Sequence, residues 1–114
     1  MAEIIDLTAV LAKGRTIKIG RKEYEIKFAF RQLRALEEQY GTVGDAIDAL
    51  IKPDNLYENV LNFLYAALGE RYSLKKTDIE EWITVSTTQI LYDIIFESLL
   101  ESMGGSEDNA QGEA

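Results

Sequence analysis

From Ile17 the chain alternates. Ile17 and Ile19 stand two apart, and after Gly20-Arg21 the residues Tyr24, Ile26 and Phe28 alternate with Glu23, Glu25 and Lys27. Period two, interrupted by a glycine-containing turn, predicts a β-hairpin with one buried face. A lone hairpin is marginal in water, so that face must lie on helices. At Phe30 the period lengthens. Phe30, Leu33, Leu36 (or Glu37) and Tyr40 follow helical spacing, and Gly41 stands where a left-handed C-terminal cap belongs.

Helical signals then continue to the end of the apolar sequence. Thr42 opens a T-x-x-D pattern that predicts a cap for a second helix carrying Ala46, Ile47, Leu50 and Ile51, which Pro53 ends. Asp54 or Asn55 caps a third helix with the stripe Leu56, Val60, Phe63, Leu64, Ala67 and Leu68, closed by Gly69. A polar loop leads to Thr77, where T-D-I-E is a full capping box with Glu80 as its reciprocal half, followed by Ile79, Trp82 and Ile83. Ser86 with Gln89 repeats the device, and a last helix runs to about Met103 through Ile90, Leu91, Ile94, Ile95, Phe96, Leu99 and Leu100. Ahead of the hairpin, Asp6, Leu7, Val10, Leu11 and a stop at Gly14 fit either a short helix or an extended arm. The expected fold is α+β and mainly α: a short N-terminal β-hairpin packed on four to five helices. Residues 1–103 are expected to form one globular domain. Residues 104–114, acidic and Gly-rich with almost no apolar side chains, are expected to be disordered.

Composition narrows the chemistry. A length of 114 residues with 46% hydrophobic content suits one packed domain. The chain has no cysteine and no histidine, which removes disulfides, thiolate metal sites and the commonest general base. No apolar run approaches the roughly 18 residues that span a membrane. The first residues lack the positive start of a signal peptide, so a cytoplasmic location is expected.

Charge is unevenly placed. Lys13, Arg15, Lys18, Arg21, Lys22, Lys27, Arg31 and Arg34 face only Glu23 and Glu25 in their span, a net of +6, whereas residues 35–114 carry four cations and sixteen anions, a net of −12. Such a dipolar chain can pair head to tail with its own copies or dock an acidic partner. The same cations also serve to keep an edge strand solvated and unaggregated. Net charge is −8 and no reader motif is present, so nucleic acid is a poor partner.

Nothing else reads as a site for chemistry. Glu37-Glu38 and Glu80-Glu81 are sequence neighbours on helices, pointing apart rather than across a cleft. The serines and threonines have no activator, Gly104-Gly105 opens no phosphate loop, and no calcium-loop spacing occurs, so neither metal nor cofactor is expected. The last helix differs. Ile90, Leu91, Ile94 and Ile95 suffice for one core stripe, leaving Phe96, Leu99 and Leu100 for the core or for a partner. The candidate partner-binding residues are therefore Phe96, Leu99, Leu100, Arg21, Lys22, Arg31 and Arg34.

The segment from Ile17 to Gly41, with Ile17, Ile19, Gly20, Lys22, Tyr24, Ile26, Phe28, Leu33, Leu36, Glu37, Tyr40 and Gly41 in register, resembles the tail assembly chaperones of long-tailed bacteriophages and prophages. The stretches N-V-L-N-F-L-Y-A-A-L and T-D-I-E-E-W-I look like that family's second half, so the likeness spans roughly residues 15–101. Its motifs are fold residues rather than a site. The resemblance implies a protein that is not an enzyme, works in the bacterial host cytoplasm, and holds the tape-measure protein soluble while the tail tube assembles. It implies absence from the mature virion, and self-association is compatible with it. The alternatives are a structural phage component, such as a head–tail joining or tail-completion protein, and a helical regulator that binds nucleic acid.

Overall fold

The computed structural model describes residues 14–52 and 54–102; the readings made for residues 1–13, Pro53, Met103 and the tail lie outside them. The order of elements is β1 (Arg15–Ile19), β2 (Lys22–Ile26), α1 (Phe30–Tyr40), α2 (Val43–Ile51), α3 (Leu56–Tyr72), α4 (Lys76–Glu80) and α5 (Val85–Ser102). The fold is α+β and mainly helical, a two-stranded antiparallel hairpin followed by five helices.

The hairpin forms where the alternation places it. Ile17 pairs with Tyr24 and Ile19 with Lys22 across the two-residue turn, and Gly20 takes the positive φ of 64° that such turns require. Tyr24 and Ile26 are buried and Ile17 and Ile19 half-buried on one face. That face lies on the C-terminal end of α3 and on α5. Tyr24 meets the edge of Tyr72 at 5.0 Å and the ring of Trp82 at 4.9 Å. The outer edge of β2 is stitched to α3: the Glu25 N–H donates to the Tyr72 hydroxyl at 3.0 Å, and Arg71 donates to the Glu25 carbonyl at 3.1 Å. Arg15 ties β1 to Glu97 and Glu101 of α5, at 3.2 and 3.0 Å.

The central element is α3. Asn59 through Leu64 and Ala66 through Gly69 are all buried, so this helix has neighbours around most of its circumference. Phe63 is fully enclosed, between the rings of Phe28 at 6.1 Å and Tyr40 at 5.6 Å. Its polar buried residues are all bonded. Asn59 accepts from the Tyr40 hydroxyl at 2.7 Å and donates to the carbonyls of Ala49 at 3.0 Å and Asp54 at 3.3 Å. Asn62 donates to the Tyr40 oxygen at 3.2 Å and accepts from Lys76 at 3.2 Å. Burial pushes the Tyr40 hydroxyl pKa above its usual value; the Asn62 bond opposes this and the Glu58 charge adds to it.

Helix ends follow the sequence in part. Thr42 accepts from the Asp45 N–H at 2.9 Å, as its T-x-x-D pattern predicts, and Lys52 before the proline is extended. Gly41 has φ 105° and donates to the Glu37 carbonyl at 2.7 Å. A Cβ at that φ is strained, so Gly41→Val is expected to cost on the order of 1–2 kcal/mol. An unchanged chemical-denaturation midpoint would remove this cap assignment.

Four end assignments need correction. Gly69 does not close α3, which continues to Tyr72 and ends on Ser73 in the left-handed region at φ 55°. Instead Gly69 is buried beneath the Tyr65 ring, which a Cβ would approach to 2.8 Å. Asn55 holds the N-cap position of α3 but is left-handed, and neither its side chain nor that of Asp54 caps the helix. Thr77 is inside α4, not its cap: the Lys75 N–H is held by Asp78 at 2.9 Å, two residues earlier than the T-D-I-E box, and Glu80 is an exposed last residue. Ser86 likewise gives way to Thr84. The Thr84 N–H donates to the Thr87 hydroxyl at 2.8 Å and the Thr87 N–H to the Thr84 hydroxyl at 3.2 Å, while Thr87 also holds the Trp82 carbonyl.

Candidate interaction surfaces

On α5 the core stripe is Thr88, Leu91, Ile95, Ser98 and Leu99. Ser98 is fully buried and donates to the Ile26 carbonyl at 3.3 Å, so a small side chain sets how closely β2 approaches the helix. The expected stripe is therefore rotated. Leu91 and Ile95 are buried as predicted, but Ile94 is half-buried and Ile90 is 60% exposed. Leu99, a candidate for partner contact, is only 2% exposed and belongs to the core, because its position completes the seam with Leu91 and Ile95. Phe96 is half-buried and stacks on Tyr92 at 6.3 Å; Leu100 is 41% exposed. The exposed large apolar residues of α5 are thus Val85, Ile90 and Leu100, with Phe96 half-buried.

The basic residues divide into two groups. Arg21 and Lys22 are exposed at the hairpin turn and, with Lys18, have no ion pair among the described residues. Arg15 is spent on α5, and Lys13 lies outside the described residues. Arg31 and Arg34 belong to a different place, the cleft between α1 and α3.

That cleft holds about 640 Å³. Its floor is made by Ala35, Ala66 and Gly69, where small side chains let the two helices come close. Its walls are Phe30 and Tyr65, and the guanidinium of Arg34 lies 5.7 Å over the Phe30 ring. Lys76 lies 5.5 Å over Tyr65. Arg31 reaches Glu70 across the cleft at 3.6 Å, an exposed pair that holds little energy. The helical spacing that groups Phe30 with Leu33, Leu36 and Tyr40 does not bury it: Phe28 fills the core from the preceding extended segment, and Phe30 is exposed. The buried face of α1 is Gln32 and Leu36, with Gln32 bonding back to the Ala29 N–H at 3.0 Å.

Ile51 and Tyr57 are also exposed, on either side of the connection from α2 to α3. Of the apolar residues that the sequence gives α2, Ala46 and Leu50 are buried and Ile51 is exposed. Asp48, Asp54 and Glu58, all exposed, surround this apolar pair in sequence. No described helix is long and apolar enough to cross a membrane. Among the described residues no cluster of three His, Cys, Asp or Glu could hold a metal ion.

Comparison with protein-family models, curated proteins and solved structures finds no match to this chain.

Proposed function

We propose that this chain is a phage or prophage tail assembly chaperone, working without catalysis in the bacterial host cytoplasm and absent from the finished particle. The observation that carries the reading is the exposure of single apolar side chains along α5, where Val85 is 84%, Ile90 60% and Leu100 41% exposed. Exposed apolar side chains along one helix can serve as anchors for an amphipathic partner helix. The resemblance of residues 15–101 supplies the client, a tape-measure protein whose apolar stripes must be covered until the tail tube surrounds them. Each copy binds modestly and remains displaceable, while a net charge of −8 keeps the coated client dispersed.

The mechanism places two requirements on α5. Its inner face must hold Leu91, Ile95 and Leu99 against the core, and its outer face must offer anchors to the client. Ile90→Glu with Leu100→Glu alters only the outer face, so the fold should shift by about 0.5 kcal/mol or a little more. Each lost apolar anchor should weaken a contact by roughly 1–3 kcal/mol, multiplied over many copies. Co-expression with the tape-measure protein checks this: the client should stay soluble with the unaltered chain and precipitate with the double variant. A client kept equally soluble by both removes α5 as the client surface.

A further inference from the structure

We infer that the N-terminal arm, residues 1–13, docks on its own chain across the exposed side of the C-terminal half of α5. Its apolar side chains, Ile4, Leu7, Val10 and Leu11, meet Phe96 and Leu100 there, and the residues next to Arg15 bring a donor to Glu101. This docking belongs to the single chain and needs no client.

Three observations carry it. The first is where the arm joins the fold. Gly14 is followed by Arg15, whose guanidinium is held by Glu97 at 3.2 Å and Glu101 at 3.0 Å. Leu100, 41% exposed, stands between those two carboxylates in sequence, and Phe96 lies one turn before it, half-buried and stacked on Tyr92. Tyr92, Phe96 and Leu100 are spaced by four and so share one flank of α5. Residues 4–11 are three to ten positions from Gly14, about 5–15 Å along a helix or about 10–35 Å along an extended chain. From Leu100 back to Phe96 is about 6 Å of helix axis, on a helix about 10 Å across, so either form of arm reaches both.

The second is the composition of the arm. Ile4, Leu7 and Leu11 repeat at i, i+3 and i+7, an apolar line that leaves Glu3, Asp6 and Lys13 off it. A segment this short holds no helix alone in water and needs a surface to pack on. The third is an orphaned atom. Glu101 binds Arg15 through Oε2, but its Oε1 is buried without a hydrogen-bond partner among the described residues. A buried carboxylate oxygen left unpaired costs free energy. Lys13 and the main-chain N–H groups beside it, two to three residues before Arg15, are the donors that the chain brings to that corner. On the reading of α5 as a client surface, arm and client compete for Leu100, and the docked fraction lowers the apparent client affinity in proportion.

The chain has no cysteine, so Ala9→Cys places a single nitroxide spin label within the arm. In the full chain, the amide NMR signals of Tyr92, Phe96 and Leu100 should be lost to paramagnetic broadening, while those of Asp45 and Asp48 on α2 keep their intensity. Adding Leu7→Ser, Val10→Ser and Leu11→Ser should restore the lost signals. Leu100→Ser, at an exposed site, should restore those of Tyr92 and Phe96 without touching the arm. Equal broadening with and without these changes would mean an arm that is merely tethered, and would overturn the inference. Broadening centred on the cleft between α1 and α3 would overturn it as well. Spin-labelled chain mixed with isotope-labelled, cysteine-free chain should show no loss of signal; a loss there would assign the arm to a neighbouring copy instead. No client enters these measurements, so a failed co-expression test of α5 leaves the docking standing, and a free arm leaves the client surface standing.

Discussion

Replacing Phe63 with alanine is expected to remove about 3–5 kcal/mol of stability. The ring has no solvent exposure and packs between Phe28 and Tyr40, so it links the segment after the hairpin to the end of α1 through the middle of α3. Truncation loses the transfer free energy of the ring and leaves a cavity that three different elements would have to collapse to fill. A domain of this size has about 5–15 kcal/mol in total, so the change consumes a large fraction of it. At roughly 4–8 °C per kcal/mol, the melting midpoint should fall by roughly 12–40 °C. Tyr57, six positions earlier on the same helix and 53% exposed, provides the internal control. Tyr57→Ala should stay within about 0.5 kcal/mol in thermal denaturation followed by circular dichroism. A fall of less than about 5 °C for Phe63→Ala would mean that α3 is not the centre of the core.

The next largest loss is expected from Asn59→Ala, at about 2–3 kcal/mol. Asn59 is 7% exposed and makes three hydrogen bonds, to the Tyr40 hydroxyl and to the carbonyls of Ala49 and Asp54. Its removal leaves the half-buried Ala49 carbonyl without its side-chain donor and the Tyr40 hydroxyl without its acceptor, at about 1–3 kcal/mol for each buried group left unpaired. Against this, alanine is the better helix former by roughly half a kcal/mol, and Asp54 can turn to water. Urea denaturation of Asn59→Ala, Tyr40→Phe and the double variant measures the link between them. A coupling of at least about 0.5 kcal/mol is expected. Strict additivity would show that the bond from Tyr40 contributes nothing measurable.

The hairpin and α1 were legible because their signals are local and redundant. Alternation, a glycine turn and a change of period coincide within residues 17–41, and the boundaries of α1 match the prediction to the residue. The caps of α4 and α5 were not, because a search for Ser, Thr, Asp or Asn assumes that the cap residue supplies the bond. At α4 only the returning acid, Asp78, acts, and the cap position is Lys75. At α5 two hydroxyls compete, and Thr84 prevails over Ser86 because Thr87 binds Thr84 and the Trp82 carbonyl together.

The candidate surfaces were legible only in outline. Arg31 and Arg34 were singled out as charges, but their cleft depends on Phe30 turning outward, and that follows from Phe28 winning the core position two residues before. On α5, apolarity alone misplaces the buried stripe, since Thr88 and Ser98 occupy core positions that a hydrophobicity count assigns to solvent. Counting positions at helical spacing from Leu91 through Ile95 to Ser98 and Leu99 recovers the seam and releases Ile90. Tyr65 lies off the apolar stripe of α3 and gave no further signal.

The bond from Ser98 to the Ile26 carbonyl joins residues 72 apart, and the ties from Tyr72 and Arg71 to Glu25 span 47 and 46. Translation reverses the order in which these groups are needed. A hairpin closes in about 1–10 μs, but at roughly 5–20 residues per second the ribosome adds 72 residues in roughly 4–14 s. For about the first half of that interval Tyr24 and Phe28 lack α3, which brings Tyr72 and Phe63, and to its end Ile26 lacks α5. Lys18, Arg21 and Lys22 line the same nascent segment, and their mutual repulsion between neighbouring chains on one message discourages strand pairing while it waits. The cations that mark the hairpin in the finished fold therefore act earliest in the growing chain, seconds before α5 exists to cover its apolar face.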